Sequence, residues 1–166
     1  MSRGFVREED QEEIPIVPPR ADLPDGVANY VTQIGLDALL TEKEVLIQEI
    51  DNVDRSNEKE SRIAINHINA KLQLLNNRIL TAKVIHLEDQ PQDEVRFGAT
   101  VTLKIMATNK TQKFQIVGVD EADITKGKIA FISPLAKILI EKKIGEKAIL
   151  KLAKEDRVFK ISDISY

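Results

Sequence analysis

Two hydrophobic seams of equal length, separated by a short polar tip, constrain this chain more than any other feature. Leu36, Leu39, Lys43, Leu46, Ile50 and Val53 recur at spacings 3, 4, 3, 4, 3. Ile65, Ile68, Leu72, Leu75, Ile79 and Ala82 repeat the same spacings. Both are a/d heptad patterns, with Lys43 the one polar intruder, and a seam of that kind can be buried only against another helix. Two matched seams and a short turn predict an antiparallel coiled-coil hairpin. Thr32 is placed to cap the first helix, which begins near Gln33. Helices of about 20 residues would reach roughly 30 Å.

The tip reads DNVDRSNEKESR, residues 51–62. It sets Asp51, Asp54, Glu58 and Glu60 among Arg55, Lys59 and Arg62. With no glycine or proline in it, either helix can run partly into the tip.

From residue 95 the period changes to two. Val101, Leu103 and Ile105 alternate, Asn109-Lys110 supplies a turn, and Phe114, Ile116 and Gly118 continue a second strand. A polar loop over 120–128 leads to a third strand at Ile129–Ile132. Ser133-Pro134 starts a short helix, with serine as the cap and proline in the first turn. Leu135, Ile138, Leu139 and Lys142 share one side of it, and Gly145 ends the unit. Residues 147–153 and 158–165 form a last hairpin. The sum is an α+β chain: a helical hairpin followed by a small antiparallel β domain with one short helix.

Residues 1–31 read differently. They hold four of the six prolines (Pro15, Pro18, Pro19, Pro24) and seven acids against three bases, a local net of −4. Such a segment cannot bury enough surface to fold alone, and it is expected as a disordered acidic tail. The alternative is a docking peptide anchored by Phe5, Val6, Ile14 and Ile16. The expected divisions are therefore tail 1–31, hairpin 32–85 with its tip near 54–61, and β domain 86–166.

Composition removes several function classes. Cysteine is absent, which excludes disulfides, thiolate metal sites and thiol nucleophiles. The opening MSRGFVREEDQEE has no apolar signal core, and no apolar run is long enough to cross a bilayer, so a cytoplasmic protein is expected. Net charge is −3 with no basic stripe, which favours a protein partner over naked nucleic acid. There is no phosphate-binding glycine loop, no His-Glu-x-x-His helix and no nucleophile elbow. His67 falls at a solvent-facing c position of the second seam, and His86 stands alone. The tip carboxylates are the one group with a mechanistic reading: carboxylates on a probe can help hold a hard cation such as Mg²⁺. The competing reading is a solvated turn paired internally with Arg55 and Lys59.

The hairpin followed by FGATVTL, IVGVDEAD and ISPLAKILIEKKIGE resembles the bacterial Gre transcription elongation factors, GreA and GreB. The similarity runs from about Asn29 to Tyr166, and the opening MSRGFVREED resembles a GreB-like subgroup with an N-terminal extension. The resemblance implies an FKBP-like C-terminal domain that grips RNA polymerase beside its secondary channel while the coiled coil enters the channel. It implies docking through Asp120, Glu121, Ser133, Pro134, Leu135 and Ala136. Tip acids, here Asp54 and Glu58, would then help the polymerase's own Mg²⁺ site cleave backtracked RNA. The factor would be a monomer with no enzymatic activity, metal or cofactor of its own, and would meet RNA and DNA only within the elongation complex.

Two features depart from the family pattern. Family tips read like Asp-Arg-Ser-Glu-Asn, whereas residues 54–58 read Asp-Arg-Ser-Asn-Glu. The hairpin is also several turns shorter, chiefly in its first helix. Both departures point to an alternative within the same site, a non-cleaving regulator resembling Rnk. A prolyl isomerase, by analogy of fold, and a free-standing coiled-coil adaptor are the readings from other classes. The few aromatics of the head (Phe97, Phe114, Phe131, Phe159 and Tyr166) argue against the first of these.

Overall fold

The computed structural model describes residues 14–166. Phe5, Val6 and the acidic cluster at 8–13 lie outside the described residues.

The hairpin forms as its seams require. Helix α1 spans Gln33–Asp51 and helix α2 spans Glu58–Thr81. Thr32 caps α1, its hydroxyl accepting from the Gly35 N–H at 2.9 Å. Leu39, Leu46, Ile68 and Leu75 are buried between the helices, and Ile50, Val53, Leu72 and Ile79 flank them. The a/d arithmetic therefore holds over the middle of both seams. Ala82 falls beyond the second helix, at its C-cap.

Short strands root the hairpin. Strand β1, Asn29–Val31, precedes α1, and β2, Ala82–Val84, follows α2. They pair in parallel, Asn29 opposite Ala82 and Val31 opposite Val84. A parallel pair at the root of an antiparallel helix pair requires the chain to reverse at one of the two junctions. Asn29 is buried and donates from Nδ2 to the Arg78 carbonyl (2.9 Å) and the Thr81 hydroxyl (3.3 Å), satisfying the end of α2. A division at residue 31 thus differs from the structure, which takes residues 29–31 into a strand.

The head is a five-stranded sheet ordered β5-β4-β3-β7-β6. Its strands are β3 (Thr100–Ile105), β4 (Thr111–Val117), β5 (Lys128–Ala130), β6 (Lys147–Leu150) and β7 (Arg157–Ser165). Helix α3, Pro134–Leu139, packs on it. Val95, Val101, Leu103, Ile116, Leu139 and Ile161 are fully enclosed in one core. Asn109 turns the β3–β4 hairpin at φ 57, within the left-handed region that asparagine tolerates.

One pairing differs from the expected all-antiparallel sheet. Strands β4 and β5 run parallel, with Val117 opposite Ala130. The ten residues between them contain a turn at Gly118–Ala122 and a 3-10 turn at Ile124–Lys126. Two reversals restore the original direction. Helix α3 also stops sooner than Gly145. Glu141 takes φ 70 and its N–H donates to the Val95 carbonyl, while the Val95 N–H donates to Lys142. That exchange with the loop before β3 replaces continued helix.

Candidate functional site

The parallel β4–β5 pair decides which parts of the head can act together. Loop 118–122 leaves the C-terminal end of β4, and the segment leading to Ser133 leaves the C-terminal end of β5. Because the strands are parallel neighbours, both emerge at the same end of the sheet. The Phe131 N–H donates to the Val117 carbonyl at 2.9 Å and carries the pairing to that end. Antiparallel strands would have put them at opposite ends.

Within that end, Ser133 caps α3 through its hydroxyl, which accepts from the Ala136 N–H at 3.2 Å. Ala136 is buried, Leu135 half-buried and Pro134 exposed. Outward chemistry here is thus an apolar proline flanked by Ser133 and Leu135.

The two acids face inward. The side chain of Asp120 is only 6% exposed and that of Glu121 only 7%. Arg20 Nε donates to Asp120 Oδ1 at 2.9 Å, and its two terminal nitrogens grip both oxygens of Glu42 on α1 at 2.8 and 3.0 Å. Arg78 of α2 approaches Asp120 Oδ2 at 3.7 Å. The Arg20 guanidinium is held even more firmly protonated than usual, first by its bond to Glu42 and, against the opposing effect of burial, by Asp120. Glu121 accepts the Thr32 hydroxyl proton and the Lys128 ammonium, the latter at 3.1 Å. Thr32 therefore links a carboxylate to the N-terminus of α1, where negative charge is favoured.

Two glycines make room for this junction. A Cβ on Gly35 would lie 2.7 Å from Glu121 Oε1, and one on Gly118 would lie 2.5 Å from the Tyr30 carbonyl oxygen. Tyr30, Phe97 and Phe131 pack against one another beside it, ring centroids 5.5–6.0 Å apart.

At the tip, α1 ends at Asp51 and α2 begins at Glu58. Asp54 Oδ1 accepts from the Ser56 N–H at 2.9 Å, and the bonds from Ser56, backbone foremost, hold this exposed carboxyl below the usual aspartate range. Asn57 caps α2, accepting from the Glu60 N–H at 3.1 Å. That role explains the residue at position 57: an N-cap favours asparagine. Glu58 is then the first helical residue. Asp54 and Glu58 are both exposed and lie on either side of the cap. Arg55 donates to the Ile50 carbonyl at 3.3 Å. No group of three or more His, Cys, Asp or Glu side chains among the described residues is placed to hold a metal ion.

His86 is exposed, while His67 is half-buried beside Ile68 and Lys71, at the edge of the seam rather than on the solvent face. Sequence reasoning missed Arg20, Glu42, Arg78 and Lys128. They come from four separate stretches of chain, and no local pattern connects them. Ile14 and Ile16 are 87% and 91% exposed and anchor nothing in this structure.

Residues 90–166 match the family model described as transcription elongation factor, GreA/GreB, C-terminal. Transcription elongation factor GreA of Pelobacter propionicus is 38% identical over 99 residues, covering 60% of this chain and 63% of that protein. GreA of Francisella philomiragia is 37% identical over 100 residues, with 60% and 62% covered. The chain thus spans slightly less than two thirds of the length of these relatives. The crystal structure of GreA factor homolog 1 (Gfh1) of Thermus thermophilus aligns with 84% of this chain and 100% of its own, at a TM-score of 0.40 and 19% identity.

Proposed function

We propose, for a chain whose residues 90–166 match the C-terminal family model of GreA/GreB, that it acts on RNA polymerase as a transcription elongation factor. The observation that carries this reading is that domain standing behind a helical hairpin whose tip exposes carboxylates. The head docks beside the secondary channel through the sheet end where the 118–122 loop and Ser133-Pro134 emerge together. The hairpin enters the channel. Asp54 and Glu58 reach the polymerase's Mg²⁺ site, where a carboxylate can help place an ion that activates water for attack on the backtracked RNA. Hydrolysis belongs to the polymerase, and the factor works as a cytoplasmic monomer.

A cleavage assay on a stalled elongation complex from the cognate polymerase tests this directly. Wild-type protein should release short RNA above the intrinsic rate. Replacing Asp54 and Glu58 with alanine should abolish the release without weakening binding.

One observation favours a second reading, that of a non-cleaving regulator at the same channel. The slot that follows Asp54 by three residues is occupied by a helix cap, and Asp54 itself is engaged by Ser56. Helix α1 has 19 residues, a reach of about 28 Å. Tight binding, competition with a cleaving factor and no Mg²⁺-dependent release at saturating protein would establish this version.

A further inference from the structure

Docking through the 118–122 loop, as proposed above, meets an obstacle: Asp120 is already occupied. Its partner is neither solvent nor a neighbour on the sheet, but Arg20, one hundred residues away. The contact is built like a recognition site. Three N–H groups of one guanidinium are used, one on Asp120 and two on Glu42. A planar fork can satisfy both acids at once, whereas a lysine ammonium meets them as a point charge. Apolar side chains of Leu46, Leu74 and Val119 line the walls beside Pro18 and Pro19.

The site is also not full. A cavity of ≈ 440 Å³ remains between the segment, the hairpin and the acid loop. Asp120 Oδ2 is buried there without a hydrogen bond, Arg78 standing off at 3.7 Å. A buried carboxylate oxygen held by an ion pair but by no hydrogen bond keeps acceptor capacity for a further donor.

We propose that this notch recognises an arginine-bearing, proline-flanked segment of a protein partner, and that Pro18–Ala21 is its in-cis occupant. Arg20 then acts as a latch. A partner arginine reaches Asp120 only when Arg20 leaves, so the chain's own segment lowers apparent affinity by the fraction of time the latch is closed. The inference rests on the docking reading for its partner, but not for the existence of the notch.

Two arms separate these. In the first, a dye-labelled peptide with the sequence of residues 14–24 is titrated into the full chain carrying Arg20→Ala and followed by fluorescence anisotropy. Saturable binding is expected. It should be lost when the peptide's arginine is replaced by alanine, and when the chain also carries Asp120→Asn. Absence of saturable binding overturns the notch. In the second arm, affinity for the cognate RNA polymerase is measured. Arg20→Ala should tighten it by roughly tenfold, as release of a closed latch predicts. If Asp120→Asn weakens the complex while Arg20→Ala fails to tighten it, the latch is overturned. If Asp120→Asn leaves affinity unchanged, the docking reading falls and the peptide alone judges the notch. Should Arg20→Ala unfold the chain, Arg20→Lys serves in both arms, since an ammonium meets the two acids as a point charge and cannot hold them as a fork while Asp120 and Glu42 stay intact.

Discussion

Gly118→Ala tests whether the head and the hairpin are fixed to each other by close packing. Gly118 follows β4 directly, and its backbone lies against β1. An added Cβ would sit 2.5 Å from the Tyr30 carbonyl oxygen and 3.6 Å from both the Tyr30 carbonyl carbon and Val31 Cα. The first contact is with backbone, so no side chain can rotate away. Either β1 shifts away from the head or the 118–122 loop moves off it. Overpacking of this kind costs about 1–3 kcal/mol. Replacing glycine restricts the unfolded chain and returns about 0.4–1 kcal/mol. A net loss of about 1–2 kcal/mol is left, and for a chain of this size each kcal/mol lowers Tm by about 2–4 °C. The expected drop is therefore about 2–8 °C by circular dichroism. Hydrogen exchange localises it. The Ile85 amide, which donates to the Val31 carbonyl at 2.9 Å, should lose protection, while Leu103 and Ile161 in the head core keep theirs. An unchanged Tm with full protection at Ile85 would refute the reasoning.

Other perturbations address single contacts. Leu75→Ala removes a fully buried side chain from a cluster with only four buried members, and should cost about 2–5 kcal/mol; thermal melts read the loss, and a cost under about 1 kcal/mol would mean that the helices re-close around the gap. The Tyr166 hydroxyl donates to the Glu94 carbonyl at 2.6 Å and accepts from the Arg96 N–H at 2.7 Å, so Tyr166→Phe should cost about 1–3 kcal/mol in a denaturant titration. Burial, above all, raises the Tyr166 phenol. Its stabilisation is present below about pH 10 and fades as pH climbs through the raised value, a loss absent from the Tyr166→Phe variant. The Asp54 carboxyl, lowered by Ser56, should titrate by carbon NMR below the usual aspartate range. Ser56→Ala should move its midpoint part of the way back, because the backbone bond remains.

Much of this was legible from sequence because its causes are local or periodic. The heptad seams, the Thr32 cap, the Asn109 turn and the Ser133-Pro134 start each depend on residues within one or two turns of chain. What stayed hidden depends on long-range closure. The parallel sense of β4 and β5 is set by how residues 118–127 double back, and the period of two in each strand is the same for either sense. The burial of the acid pair stayed hidden for a related reason. Asp120 and Glu121 sit in a polar loop, where acids ordinarily meet water, and nothing local reveals that Arg20, Arg78, Thr32 and Lys128 converge on them. The composition of residues 1–31 averaged over Arg20 and over Asn29–Val31, whose roles depend on partners far along the chain.

The inward acids also bear on how a short hairpin can be aimed. Asp120 contacts α2 through Arg78, and Glu121 contacts the start of α1 through Thr32. One loop of the head thus holds the roots of both helices. Buried ion pairs add little net stability over apolar packing, yet breaking one leaves an uncompensated charge and costs far more. Such contacts resist displacement more than they stabilise the fold. Resistance matters here because the hairpin is a lever. Helix α2 has 24 residues, about 36 Å, so a tilt of about 10° at its root would swing the tip by about 6 Å. That exceeds one helical turn. Under the proposed function, a tip carboxylate has to be held far more closely than this to act at the polymerase's metal site. Removing Arg78 should therefore spread the tip positions without altering the tip itself.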